Sequence, residues 1–151
     1  MNTCFQVANY FLKCQDLDAG DSMSNLKLQK LVYYAQGFHL AITGTPLFEE
    51  PIEAWEHGPV CPILYQKYKK YKARAIPIPF DEETWEIFTE KTREILKMVY
   101  GYYGQFSAWK LRYITHDDIP WQNARKIKKT TVISHKDMLD YFKTQLEDEE
   151  E

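Results

Sequence analysis

The segment from Ser24 to Pro62 constrains the fold more than any other part of the chain, because it changes from a helical to an extended pattern. In its first half, apolar side chains recur at spacings of three and four residues, which predicts a buried helix over about residues 26–43. Ser24 or Asn25 can cap the start of this helix. Gly44 can end it, because glycine readily takes the left-handed conformation that follows a helix.

The second half of the same segment contains a short strand and a turn. Residues 52–56 alternate apolar and charged side chains, as in a half-buried strand. Directly after them, His57, Gly58, Pro59 and Val60 form a compact corner. Proline and glycine in such a corner fix the direction of the chain, so we expect it to be a rigid element.

Helical patterns account for most of the remaining chain. They cover about residues 3–14, 62–72, 81–103, 107–114, 120–125 and 134–146. Residues 76–79 alternate with proline and are expected to be extended, beside the 52–56 strand at the edge of a sheet. Residues 127–133 are expected to form a hairpin or a loop. The sequence therefore predicts an α+β fold that is mainly α-helical, with about six helices around a central buried helix and a small β-hairpin or short sheet.

The chain of 151 residues has the length of one domain, which we place at residues 1–146. Residues 147–151 are all acidic and are expected to form a disordered tail. The net charge of −3 disfavours general nucleic-acid binding. We find no signal-peptide pattern and no apolar run of the ~20 residues that a membrane span needs, so a soluble, cytoplasmic protein is expected.

Three cysteines without a CxxC pair predict neither a disulfide framework nor a zinc site. Cys61 follows His57 by four residues, so a Cys–His pair is conceivable, but a buried, inert thiol is the favoured interpretation. Glu56 beside His57 could tune a catalytic base. We favour a structural corner instead, in which Gly58 supplies a special backbone conformation, the proline fixes the turn and His57 donates to a nearby backbone carbonyl.

A second histidine motif runs from Thr115 to Asp118 and could bind a metal. No further histidine pair at ligand spacing supports such a site, so no metal and no cofactor are expected. The favoured interpretation is that His116 ties this loop to neighbouring backbone and that Trp121, after Pro120, covers the core. We therefore predict that the protein is not an enzyme.

The strongest nucleic-acid candidate is a run of basic residues interleaved with tyrosines in the 62–72 helix and just beyond. Its cations are Lys67, Lys69, Lys70, Lys72 and Arg74. Such residues could hold phosphate and stack bases, or could meet an acidic protein partner. A solvated helix face is the favoured interpretation. Lys27 and Lys30, which lie off the apolar stripe of the main helix, are likewise expected to be solvated.

Three parts of the sequence together resemble the Panacea-domain family. They are LKLQKLVYYAQGFHLAITGTPLF from residue 26, PIEAWEHGPVCPILYQKYKKY from residue 51, and LRYITH from residue 111 followed by Pro120 and Trp121. The resemblance extends from about Asn9 to Leu146. The family includes SocA-like antitoxins and phage-associated proteins.

The resemblance implies an antitoxin that neutralises a cognate protein toxin, encoded beside it, by direct contact. It also implies a possible role as a proteolytic adaptor that delivers the toxin to a ClpXP-type protease. A prophage-associated or nucleic-acid-binding regulator that uses the basic run is the alternative. On the resemblance we expect the corner and the second histidine motif to meet in the fold. The candidate structural or partner-binding residues are Trp55, His57, Gly58, Pro59, Thr115, His116, Pro120 and Trp121.

Overall fold

The computed structural model describes residues 1–80 and 85–150, with side chains up to residue 146. In this part of the chain, seven α-helices and one two-stranded antiparallel sheet confirm the predicted mainly α-helical α+β fold. In chain order the elements are α1 (Cys4–Lys13), α2 (Asn25–Thr43), β1 (Glu53–Trp55), β2 (Gly58–Val60), α3 (Pro62–Tyr68), α4 (Glu90–Tyr103), α5 (Ala108–Thr115), α6 (Ile119–Ile127) and α7 (His135–Glu150).

Helix α2 is the centre of the fold, as predicted, and packs against α1, α3, α4, α5, α7 and β2. The Ser24 hydroxyl caps its first turn by accepting from the Lys27 N–H, and Gly44 ends it at φ +80°. Its closest neighbour is α7, whose buried Phe142 ring lies against Gly37, where a Cβ would overlap the ring. The missing side chain on α2 therefore lets the two helices approach closely.

The prediction that Lys27 and Lys30 are solvated is wrong, because both are buried in α2. The Lys27 ammonium donates to the Gly104 carbonyl at 2.7 Å, and the Lys30 ammonium donates to the Pro59 carbonyl at 3.1 Å. A helix that is covered on every side has no solvent face, so its polar residues must find partners inside the protein.

The sheet is a hairpin that joins β1 to β2 through a turn at Glu56 and His57. Trp55 pairs with Gly58, and Glu53 pairs with Val60 at the other end. The corner at residues 57–60 is thus itself mostly a strand, which the sequence analysis did not predict.

The outer edge of β1 is occupied by part of the 127–133 segment, which was expected to be a hairpin or a loop. The Ala54 N–H donates to the Thr131 carbonyl, and the Ile133 N–H donates to the Ile52 carbonyl. The expectation that residues 76–79 fill this edge is wrong. The Ile76 N–H donates instead to the Met23 carbonyl, on the loop before α2.

The predicted helix over 81–103 is shorter than expected. A 3₁₀ turn at Trp85–Ile87 comes first, and α4 begins only at Glu90, where the Thr89 hydroxyl accepts from the Thr92 N–H. Trp85 stacks on Tyr10 of α1 with ring centroids 4.6 Å apart. The first residues of the predicted helix, 81–84, lie outside the described residues.

Helix α3 also ends early, at Tyr68, and is followed by a 3₁₀ turn over Lys69–Tyr71.

The last helix, α7, is assigned through Glu150, so its backbone enters the acidic segment that was expected to be disordered. The division of the chain at residue 147 stays a prediction. Among the described helices, none has both the length and the apolar character needed to cross a membrane.

Candidate functional site

The tip of the hairpin depends on Gly58, which has a φ of +112°. A Cβ at this position would lie 2.7 Å from both Lys30 Cε and Thr115 Oγ1. Conformation and space therefore both require glycine, and β2 is held directly against α2 and α5. Gly58, Pro59, Thr115 and Pro120 are all buried, so these four candidate structural or partner-binding residues lie inside the scaffold.

Lys30 lies directly beneath this strand and has no exposed surface. Burial, with a smaller contribution from the nearby positive charge of Arg112, lowers the pKa of its ammonium to about 7. The carbonyl of Pro59 partly offsets the cost of burial by accepting a hydrogen bond. The corner thus contains a lysine that is close to losing its proton at neutral pH.

The corner and the second histidine motif meet, as expected. His116 Nε2 donates to the Glu56 carbonyl at 2.9 Å, and its ring stacks on Trp121 with centroids 4.4 Å apart. The Trp121 indole N–H donates to the Trp55 carbonyl at 2.8 Å. Partial burial lowers the pKa of His116, which favours the neutral ring. His116 therefore ties its loop to neighbouring backbone, as predicted.

His57 lies exposed at the tip and behaves differently from the prediction. Its Nδ1 accepts from the Arg112 Nε–H at 2.9 Å, so the predicted donation from His57 to a backbone carbonyl is wrong. The Arg112 guanidinium also lies over the Trp109 ring, 4.9 Å from its centroid. These two contacts fix the Arg112 side chain, which joins α5 to the hairpin tip.

The thiol of Cys4 contacts that of Cys61, and this contact together with burial raises the pKa of Cys4. Cys61 is itself buried, and in the described part of the chain no hydrogen bond joins it to His57. Across residues 1–80 and 85–146, no group of three or more His, Cys, Asp or Glu side chains is placed to hold a metal ion.

Asp118, at the end of the second histidine motif, is buried rather than free for a ligand. Its carboxylate accepts from the Tyr33 hydroxyl at 3.1 Å and from the Tyr141 hydroxyl at 2.9 Å. Burial raises the pKa of Asp118 to about 6, although these hydroxyl donors act in the opposite direction. The residue therefore links α2, α6 and α7.

An exposed aromatic face on α5 was not predicted from the sequence. Trp109 and Tyr113 have exposed fractions of 67% and 68%, and the Arg112 guanidinium lies over the Trp109 ring. We call Trp109, Arg112 and Tyr113 the α5 face. Its sequence signal is the spacing of four residues between the two rings, out of phase with the buried Leu111 and Thr115 of the same helix.

The basic run does not form one continuous helical face, because α3 ends at Tyr68 and Lys72 has a φ of +54°. The Lys67 ammonium lies over the Phe5 and Tyr68 rings, and Lys70 lies over Tyr71. The Arg74 side chain donates to backbone carbonyls of its own turn. Lys69 and Lys72 of this run line an open groove beside Trp55.

Comparisons with known proteins agree with the sequence resemblance. A family model described as "Antitoxin SocA-like, Panacea domain" matches residues 28–122, which is more than half of the chain. The chain is also similar to Antitoxin SocA of Caulobacter vibrioides (strain NA1000 / CB15N), with 48% identity over 61 residues. That match covers 40% of this chain and 31% of the relative. No solved structure matches the chain.

The matched residues include most of α2, the hairpin, α3, α4, α5 and the start of α6, and hence the meeting of the two motifs. The chain therefore belongs to the SocA-like antitoxin family with the Panacea domain.

Proposed function

We propose that this protein is a non-enzymatic antitoxin that binds a protein toxin directly and that the α5 face contacts the toxin. The observation that carries the assignment of the surface is the exposure of two large aromatic rings, one of them in contact with an arginine. Tryptophan, tyrosine and arginine are the residues most enriched among those that dominate binding energy at protein interfaces. Family membership supports a toxin as the kind of partner.

The α5 face is also held in place before any partner arrives. Arg112 donates to His57 and lies over Trp109, while the Lys110 ammonium lies over the Tyr113 ring at 5.7 Å. Leu111 and Thr115, on the opposite side of the helix, are fully buried. A surface whose side chains are already ordered loses less conformational entropy on binding, so more of the contact energy contributes to affinity.

The chemistry of the histidine motifs supports a binding role rather than a catalytic one. Nδ1 of His57 accepts from an arginine, and His116 Nε2 donates to a carbonyl. A general base needs a free nitrogen within reach of a nucleophile or substrate proton. Among the described residues, no hydrogen bond joins either of these histidines to a serine, threonine or cysteine side chain that could act as a nucleophile.

The finer parts of the proposal concern the toxin and its fate. The toxin is the product of an adjacent gene, acts in the same cytoplasm, and is delivered by this protein to a ClpXP-type protease. In that case co-expression shortens the half-life of the toxin, and deletion of the protease restores it. An unchanged half-life alongside full neutralisation would leave direct blocking as the mechanism and remove the adaptor role.

The test of the antitoxin function is co-expression with the neighbouring gene product in a growth assay, followed by co-purification. Wild-type protein is expected to restore growth and to co-purify with the toxin. The double variant Trp109→Ala/Tyr113→Ala is expected to do neither while melting at the same temperature as the wild type. Phe80→Ala is the matched control, because Phe80 is a fully exposed aromatic residue outside α5. A neighbouring protein that is harmless and forms no complex would contradict the proposal.

A further inference from the structure

A second surface lies next to the α5 face and differs from it in shape and charge. It is an open groove with a volume of about 730 Å³, bounded by the start of α2, the hairpin, α3 with its 3₁₀ turn, and the loop after α6. We call it the basic groove. His57 lies at its edge, and because His57 is bonded to Arg112, the groove and the α5 face are continuous.

The floor of the basic groove is aromatic. The rings of Trp55 and Tyr65 pack edge to face with centroids 5.1 Å apart, and the Trp55 indole N–H is already used by the Glu53 carboxylate. The two buried amides beneath, Gln29 and Asn25, bond to each other at 2.9 Å, and Asn25 also donates to the Tyr65 carbonyl. The floor therefore offers ring surface rather than free polar groups, which suits an apolar side chain.

The rim of the basic groove is cationic. Lys69 and Lys72 lie on one wall, Arg125 in the last turn of α6 and Lys129 just after that helix line the groove on the other side, and Glu56 is the one carboxylate among the lining residues. Within residues 1–80 and 85–146, no hydrogen bond or ion pair engages the ammonium groups of the three lysines. Arg125 is fixed, because it donates to the carbonyls of Ala54 and Lys129 and lies over a tryptophan ring.

This rim contrasts with residues 1–146 as a whole, which are close to neutral because they carry 19 basic and 17 acidic side chains. Four cations around one short groove therefore create a local positive field. A long polyanion such as nucleic acid needs cations along a track longer than this groove, whereas a short acidic peptide needs only the rim. Charge complementarity thus favours a short protein segment as the occupant.

We propose that the basic groove binds an extended peptide segment of the partner protein in which carboxylate side chains flank one aromatic or large aliphatic side chain. The apolar side chain packs on the Trp55 and Tyr65 rings, and the carboxylates pair with Lys69 and Lys72 on one side and Arg125 and Lys129 on the other. The assignment of this partner as the toxin rests on the proposed function. The peptide chemistry itself rests on the groove alone.

The first experiment uses synthetic peptides as probes. A fluorescein-labelled peptide with acidic residues around a central phenylalanine is titrated with the full chain and followed by anisotropy. Its affinity is expected to fall at least tenfold when salt rises from about 50 to about 300 mM, and also when the phenylalanine is replaced by serine. A peptide with lysines in place of the acids is expected not to bind.

Charge-reversal variants locate the binding. Lys69→Glu/Lys72→Glu is expected to weaken the acidic peptide at least tenfold. Lys126→Glu/Lys143→Glu, which makes the same change in net charge at exposed lysines outside the groove, is expected to change the affinity less than twofold. Equal binding by both variants would overturn the proposal. Tighter binding of a single-stranded oligonucleotide of the same charge would identify nucleic acid as the preferred ligand, and would also overturn the proposal.

The toxin complex separates this proposal from the proposed function. If wild-type protein and Lys69→Glu/Lys72→Glu bind the toxin equally well, the assignment of the groove to the toxin fails and the antitoxin function stands. If the wild type binds the acidic peptide but no toxin, the groove stands as a peptide site and the antitoxin function fails. Joint loss of peptide and toxin binding in the groove variant alone supports both.

Discussion

Replacing Lys30 by methionine tests the physical account of the corner, because a buried lysine gives folding a characteristic dependence on pH. Lys30 is fully buried, donates to the Pro59 carbonyl at 3.1 Å, and has a pKa of about 7 against an ordinary value of 10.5. Methionine has a similar length without the charge, so Lys30→Met removes this one titration and keeps most of the packing.

The sign of the effect follows from the lowered pKa. Between pH 7 and 10.5 the unfolded chain holds the Lys30 proton and the folded chain has largely lost it. Stability rises with pH wherever the unfolded state binds more protons, with a slope of up to about 1.4 kcal/mol per pH unit. For this shift, the contribution of Lys30 to the free energy of unfolding increases by about 3 kcal/mol between pH 6 and pH 9.

The assay is urea denaturation of wild type and Lys30→Met at both pH values. The other titratable groups are present in both proteins, so their contributions cancel in the difference. The stability of the wild type relative to the variant is expected to grow by about 3 kcal/mol as the pH rises. A difference that does not change with pH would show that Lys30 is not a desolvated, readily neutralised lysine.

Two further predictions concern the same scaffold. Gly58→Ala is expected to lower the free energy of unfolding by at least about 2 kcal/mol, because it adds a clash with Lys30 to the strain of a positive φ. Gly44→Ala, at φ +80° with open space around it, is expected to lower it by only about 1 kcal/mol. Equal melting temperatures for the two variants would contradict this. Asp118 has a pKa raised to about 6, so the folded state binds the extra proton and wild type should lose about 2 kcal/mol relative to Asp118→Asn as the pH rises from 4 to 7. Denaturant titrations at both pH values check this, and a gap that stays constant would count against the burial of that carboxylate.

The sequence predicts α2 well because its signals are local. The apolar spacing, the Ser24 cap and the left-handed Gly44 all act within a few residues of the helix ends. The burial of Lys27 and Lys30 was missed because the apolar stripe assumes that the other side of a helix meets solvent. That side is covered by elements distant in sequence, and the carbonyls of Gly104 and Pro59 that receive the lysines come from those elements.

Two further errors of the sequence-based prediction, the start of α4 and the edge of the sheet, each have a physical cause. Trp85 and Phe88 are in register with the helical stripe of α4, so spacing alone could not show that the chain is extended at Thr89 between them and the helix. Residues 131–133 are β-branched and carry the N–H groups that a sheet edge needs. Residues 76–79 lack half of these groups, because two of the four are proline.

At the candidate site, the motifs were visible in the sequence but their hydrogen bonds were not. The meeting of His116 and Trp121 with the hairpin was expected from the family resemblance. Which histidine donates to a carbonyl depends on the placement of Arg112, about which one-dimensional spacing carries no information. The α5 face was missed because the sequence spacing of aromatic residues on a short helix does not show whether their side chains are exposed or buried.

The central claim is that a rigid scaffold presents the α5 face to a protein toxin, and the dissociation constant of the toxin complex tests it most directly. Calorimetric titration of the toxin with wild type and with Trp109→Ala/Tyr113→Ala is expected to show a loss of affinity of at least 30-fold, about 2 kcal/mol, with unchanged thermal melting. Equal dissociation constants for the two proteins would contradict the claim.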